Sequence, residues 1–397
     1  MLSPNSRVFI TVVGSQLAVM PFFMIGFINA CGVIQMLFIN TIEILFLMYS
    51  MGILMATAIQ YKRSSLLKLS MLKFGKYGGK TVALFILAAE FTGFTASVSL
   101  NNKIFESFLL PRIAIIGIDI ACACYALYVS KRLKNVAHFL VISSIVILSL
   151  TCLIGILIPM PQTNKIQWFS EPIKEEVFTY DIEQKICPYF DVVIFGGISF
   201  MMNITILTYF YVYSGEESVN NSNGIDDIKL NSDDAFYEVD KEATMFKAKT
   251  LQRVVAMTSI IALFISVFVA SMIATRIEFH YSSARIVDYL INVSSVNGKF
   301  ITIILMIHVI SIIPTHIAVM KSVEIHNLII VGVLMISIWI ANTFDNELLM
   351  YKIIGAPVFV FMIYVLPVSL NNENKFSTTN FILTTGLILG VVFCLIY

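Results

Sequence analysis

Glu43, Glu90 and Asp119 each stand inside a run of apolar residues long enough to cross a lipid bilayer. A charge at the centre of a bilayer costs at least ~2.5 kcal/mol on insertion scales, so an acid placed there needs a pocket, a partner or a proton. Glu90 is the strongest candidate for a group that couples to an ion, because Ser97 and Asn101 extend a polar stripe from it at near-helical spacing. A protonated or paired structural glutamate would give the same pattern. Farther along, His308, Ser311 and Thr315 recur at i, i+3 and i+7 and so share one helix face. The face suits a sodium- or proton-linked wall, with hydroxyl oxygens of Ser311 and Thr315 open to a hard cation, and equally an interhelical hydrogen-bond stripe.

Nothing in the sequence has the spacing of a catalytic site. There is no H-E-x-x-H, no phosphate-cradling glycine loop and no G-x-S-x-G, so an enzyme is not expected. Cys31, Cys122, Cys124, Cys152 and Cys394 lie in apolar runs and Cys187 in a long loop, a distribution with neither a disulfide framework nor a metal spacing. The net charge of +1 over 397 residues gives no field that would draw nucleic acid.

A membrane fold must position these groups. Hydrophobic residues make up 58% of the chain, charged residues only 13%, and the mean hydropathy is +0.87. A soluble domain carries about a quarter charged residues, and its core could not absorb this much apolar sequence. Long apolar runs bounded by charge predict eleven spans, near 8–28, 31–59, 81–100, 113–130, 137–158, 190–213, 253–274, 299–320, 328–342, 350–369 and 379–397. The first run is not expected to be a cleaved leader, since Pro21 sits inside it, no small-residue cleavage site follows and hydrophobicity resumes after Gly32. Helices alone give each span its own backbone hydrogen bonds without barrel closure, so the expected class is all-α integral membrane, one transmembrane domain over 1–397.

Basic residues set the orientation. The second loop holds Lys62, Arg63, Lys68, Lys73, Lys76 and Lys80 with no acid among them, and the fourth holds Lys131, Arg132 and Lys134. Both fall on the cytoplasmic side if the N-terminus is cytoplasmic. The loop 162–188 is then external, and 215–252, rich in Asp, Asn and Ser, reads as a flexible acidic cytoplasmic loop. Of two glycosylation sequons, Asn292-Val293-Ser294 falls outside and Asn220-Asn221-Ser222 inside, so only Asn292 is expected to be modified.

Ten spans plus one divide into two halves of five whose first helices cross the bilayer in opposite directions. In transporters built from such inverted repeats, substrate and ion sites form where matching helices of the two halves unwind near the midplane. The first span contains Gly14, Ser15, Gln16 and Pro21; the sixth contains Gly196, Gly197 and Ser199, with Asn203 on the face of Ser199. These positions correspond in the two halves. Gly and Pro also occur in membrane helices simply to allow close packing.

Gly14-Ser15-Gln16-Leu17-Ala18-Val19-Met20-Pro21 resembles the first-helix signature of the amino acid/auxin permease family, a Gly-x-Gly followed by small and apolar residues and a proline. Phe74-Gly75-Lys76 before the third span looks like that family's Phe-Gly pair. Ser311-Ile312-Ile313-Pro314 resembles its Ser-Tyr-Pro element, and Gly355-Ala356-Pro357 through Leu366-Pro367 is similar to its spaced glycine and proline in the tenth span. The order is kept along almost the whole chain, with Gln16 standing where the family has its second glycine.

The resemblance implies a LeuT-type 5+5 inverted repeat plus one C-terminal helix, with spans one, three, six and eight lining the site. It implies secondary active transport of amino acids coupled to H⁺ or Na⁺. Backbone groups at Gly14, Ser15, Gln16, Gly196 and Gly197 would then receive the substrate's charged ends, with Ser199 and Asn203 orienting it. Glu90, His308, Ser311 and Thr315 would couple the ion. Glu43 and Asp119 fall on spans the family fold places away from the site, which implies packing roles. The alternative is a transporter-like amino-acid sensor that binds without net flux and signals through 215–252. The expected partners are a small-molecule amino acid and the lipid bilayer of a plasma or vacuole-like membrane. No cofactor is expected beyond the coupling ion, and no metal.

Overall fold

The computed structural model describes residues 13, 24, 28, 31–61, 66–130, 145, 146, 149, 168, 169, 241–274, 296–322, 326–343 and 351–370. Apart from short turns these residues are helical, with no strand among them. The helices are α1 (Val33–Tyr61), α2 (Leu66–Ser107), α3 (Arg112–Val129), α4 (Lys241–Ala274), α5 (Val296–Ser322), α6 (Asn327–Thr343) and the helical segment 351–370, here α7. Six of them, all but the shorter α6, are long and apolar enough to cross a membrane.

Their outward faces are as apolar as their inward ones. On α4, Met257, Phe264 and Phe268 recur at helical spacing and are each at least 59% exposed; Phe38 on α1 and Trp339 on α6 are similar. Helices hydrophobic all round need lipid as their solvent. The chain is therefore a multi-pass, all-helical membrane protein.

Seven predicted spans coincide with α1 to α7. Of the span predicted at 8–28 only Val13, Met24 and Ile28 are described, and of 137–158 only 145, 146 and 149; those at 190–213 and 379–397 lie outside the described residues. The starts of two helices differ most from the sequence reading. Helix α4 begins at Lys241, so the end of the stretch read as the loop 215–252 is helical, as its run of Lys, Glu, Ala and Met favours. The rest of that loop lies outside the described residues. Helix α2 begins at Leu66, well before the predicted span, and carries a non-helical residue, Gly75, at φ 70° and ψ −169°. A positive φ of this kind is open to glycine and strained for other residues.

Two helical hairpins form one packed unit. A tight turn around Leu109 joins α2 to α3, so these two run antiparallel, and a short connection does the same for α5 and α6. Phe94 and Val98 of α2, Ala123 and Ala126 of α3, Ile313, Ile317 and Met320 of α5, and Ile330, Leu334, Ile338 and Ala341 of α6 make a single buried cluster. Polar links fix how the hairpins face each other. Lys321, at the end of α5, donates to Leu127 O (2.6 Å) and Ser130 Oγ (2.8 Å) at the end of α3. A cation there meets carbonyls that the helix end leaves without intrahelical partners. Helices α3 and α5 thus run parallel. At the opposite end the Arg112 guanidinium donates to Asn342 O, and Asn342 Nδ2 lies 3.4 Å from Asp119 Oδ2, tying the start of α3 to the end of α6.

The remaining contacts gather α1, α4 and α7. Gln252 Nε2 of α4 donates to Met48 O of α1 (2.6 Å), an approach that Gly52 permits: a Cβ there would stand 2.8 Å from the same nitrogen. Helix α7 alternates π-helical turns (Tyr351–Gly355, Phe361–Val365) with α-helical ones (Ala356–Val360, Leu366–Leu370). Each π-helical turn ends two residues before a proline, Pro357 or Pro367. A proline ring clashes with the carbonyl four residues back and has no N–H to give it; the wider turn relieves the clash. For Pro367 that carbonyl is Ile363, and Ser50 of α1 supplies the missing donor, Oγ to O 2.5 Å. Ser50→Ala is expected to destabilise the protein by about 1–3 kcal/mol, the cost of a buried acceptor left without its donor. The check is the melting temperature in detergent, with Ser50→Thr, which keeps the hydroxyl, avoiding most of the loss. An unchanged value for Ser50→Ala would mean the carbonyl has another donor.

Candidate functional site

The best-defined polar site joins the third and eighth predicted spans. Glu90, on the inward face of α2, is 3% exposed, and its Oε2 lies 2.8 Å from Nδ1 of His316 on α5, itself 5% exposed. The two residues are 226 positions apart in sequence. One proton can sit between them in two ways: the imidazole donates Nδ1–H to the carboxylate, or the carboxyl O–H donates to an unprotonated Nδ1. Removing either partner would leave the other ionisable group alone in the bilayer.

Local sequence makes room for this pair. Gly93 lies one turn beyond Glu90, and a Cβ on it would stand 2.5 Å from His316 Cε1 and 3.0 Å from Nδ1. The imidazole occupies the volume that any larger residue at 93 would fill. On α5, Pro314 removes the N–H that would bond Ile310 O, loosening the backbone just before Thr315 and His316. His316 Nε2 has no hydrogen-bond partner among the described residues, and the same holds for Thr315 Oγ1 beside it in the sequence and for Asn101 Oδ1 about three turns along α2 from Glu90, all on buried residues. A buried polar atom of this kind in a native protein points to a water, an ion or a moving partner.

The stripe Glu90, Ser97 and Asn101 is buried as one face of α2, and Ser97 Oγ bonds back to Gly93 O at 3.0 Å. His308, Ser311 and Thr315 are likewise all buried on α5. They differ in what they offer, because Ser311 spends its hydroxyl on Ile307 O of its own helix (2.7 Å) whereas Thr315 Oγ1 does not. His316 is the residue sequence reasoning missed. The available signal was a second histidine in the same apolar run, next to the predicted stripe.

Gly14, Ser15, Gln16, Gly196, Gly197, Ser199 and Asn203 lie outside the described residues. Asp119 is 4% exposed, and its Oδ2 lies 3.4 Å from Asn342 Nδ2. Glu43 is also buried, on the inner face of α1, and neither of its oxygens has a hydrogen-bond partner among the described residues. No protein-family model matches this chain, and no curated protein matches it.

Proposed function

We propose that this protein is a secondary active transporter of amino acids, built as a LeuT-type inverted repeat and coupled to H⁺ through Glu90 and His316. The observation that carries the reading is the pairing of helices. Counted along the eleven predicted spans, α1, α2, α3, α4, α5 and α6 are spans two, three, four, seven, eight and nine. In a five-plus-five repeat the equivalent pairs are two with seven, three with eight, and four with nine. Gln252 to Met48 O joins the first pair, Glu90 to His316 the second, and Arg112 and Asp119 to Asn342 the third. Since α3 runs parallel to α5 and antiparallel to α2, helices α2 and α5 run in opposite directions, and so do α3 and α6. An inverted repeat requires its equivalent helices to run opposite ways, and these contacts support that reading by joining them in pairs.

Spans one and six, with their glycine breaks, would then be the remaining equivalent pair. Val13, Met24 and Ile28 of span one are all buried, as an inner helix demands. Backbone groups freed at Gly14–Gln16 and Gly196–Ser199 would take the two charged ends of an amino acid, and one bundle would rock against the other. The motif resemblance to amino acid/auxin permeases favours the same substrate class. A proton suits the Glu90–His316 pair better than Na⁺, because an imidazole stands where a hard cation would prefer oxygen.

The test is uptake of a pooled set of labelled amino acids into proteoliposomes under an imposed pH or sodium gradient, with Gly14→Leu as control. Accumulation driven by the pH gradient and lost in the control is the expected result. Saturable binding with no accumulation under either gradient would overturn transport in favour of a sensor.

A further inference from the structure

We infer that the segment Leu66–Lys80 is a surface elbow that lies along the membrane and binds the anionic headgroups of phospholipids in the adjoining leaflet. The elbow is a matter of geometry. In a straight helix Met71 and Gly79 would be about 12 Å apart along the axis. Here a side chain on Gly79 would collide with Met71 Cγ, and one on Gly78 with Phe74 Cβ, while Ser70 O lies 3.2 Å from the Cβ position of Gly78. The chain reaches these contacts by turning at Gly75, through a φ of +70°. The arm Leu66–Phe74 is therefore bent back across the start of the span and does not continue its line.

Leu69 and Ser70 bury the arm against the protein, and other residues face outward: Met71 (41% exposed), Leu72, Phe74 and Tyr77 (83%). Water is a poor neighbour for such a patch at the head of a membrane span. Among these residues stand Lys68, Lys73, Lys76 and Lys80, and Lys73 Nζ lies 5.7 Å from the centroid of the Phe74 ring. Lys62 and Arg63 precede them, and no Asp or Glu occurs from 44 to 89. Exposed apolar and aromatic side chains interleaved with lysines are the composition of a helix that lies in the headgroup region. A basic cluster beside a span complements an anionic leaflet, which the charge bias of the loops makes the cytoplasmic one.

Electron paramagnetic resonance of spin-labelled lipids tests this on the full chain in bilayers, by comparing labelled phosphatidylserine with labelled phosphatidylcholine in the motionally restricted shell. Wild type is expected to favour phosphatidylserine by about fivefold, the contribution of roughly one lysine at the surface. The preference should vanish near 1 M salt, where the Debye length is only about 3 Å. It should fall to parity in the variant carrying Lys68→Gln, Lys73→Gln, Lys76→Gln and Lys80→Gln, and persist when the same four are changed to Arg. A preference that survives the glutamine changes would place the lipid elsewhere and overturn the inference. So would equal association of both lipids with wild type, and in that case salt-sensitive binding of polyglutamate would identify an acidic protein surface as the partner.

Discussion

Proteoliposomes carrying Glu90→Gln are expected to lose proton-driven accumulation while still exchanging labelled for unlabelled substrate. Under a gradient of about two pH units a one-proton carrier can concentrate substrate up to ~100-fold, each unit being worth about 1.4 kcal/mol. Glutamine keeps the size and one acceptor oxygen of the side chain but has no carboxyl proton to gain or lose. The loaded carrier can still turn over, so counterflow survives, but the gradient no longer drives it and the internal concentration stops at equality. His316→Gln should act in the same direction, because the 2.8 Å contact makes the two residues one proton site. Full accumulation by Glu90→Gln would remove Glu90 from the coupling machinery and leave it a structural glutamate.

Gly93→Val should be the most damaging single change to stability. Its Cβ alone would stand 2.5 Å from His316 Cε1, so the imidazole must leave its place beside Glu90. Overpacking costs about 1–3 kcal/mol, and breaking a buried pair a further 3–5 kcal/mol or so. The two parts separate in a cycle with His316→Ala, measured by thermal unfolding in detergent. The double variant Gly93→Val with His316→Ala is expected to regain the overpacking part, because the ring is gone, but not the pairing part. Simple additivity of the two changes would mean that Gly93 and His316 do not share this volume.

The cores of the spans were legible in the sequence because a bilayer asks for little more than apolar length, and α1, α3, α6 and α7 fall within a few residues of their predicted limits. Helix α2 was only partly so, since Lys68, Lys73, Lys76 and Lys80 end the apolar run while helical residues lie on both sides of the turn at Gly75. The same holds for the start of α4, where a charged stretch is a good helix former without being a membrane span. Glu90 was legible as an intramembrane acid. Its partner was not, because nothing local marks His316 as the histidine that meets α2: His308 lies on the same helix, also buried. Only the packing of two hairpins, which brings together residues 226 positions apart, decides between them.

Ser50 has a mechanical consequence for the seam between α1 and α7. Its hydroxyl fits one carbonyl, that of Ile363, because only there has Pro367 left the helix without its own donor. Sliding α7 by a single residue would present Ser50 with a carbonyl whose N–H partner is intact and would strand Ile363 in apolar surroundings. Rotation about the serine side chain, by contrast, keeps the bond while the angle between the helices changes. The contact thus behaves as a pin joint, locking the register of the two helices and leaving them free to pivot.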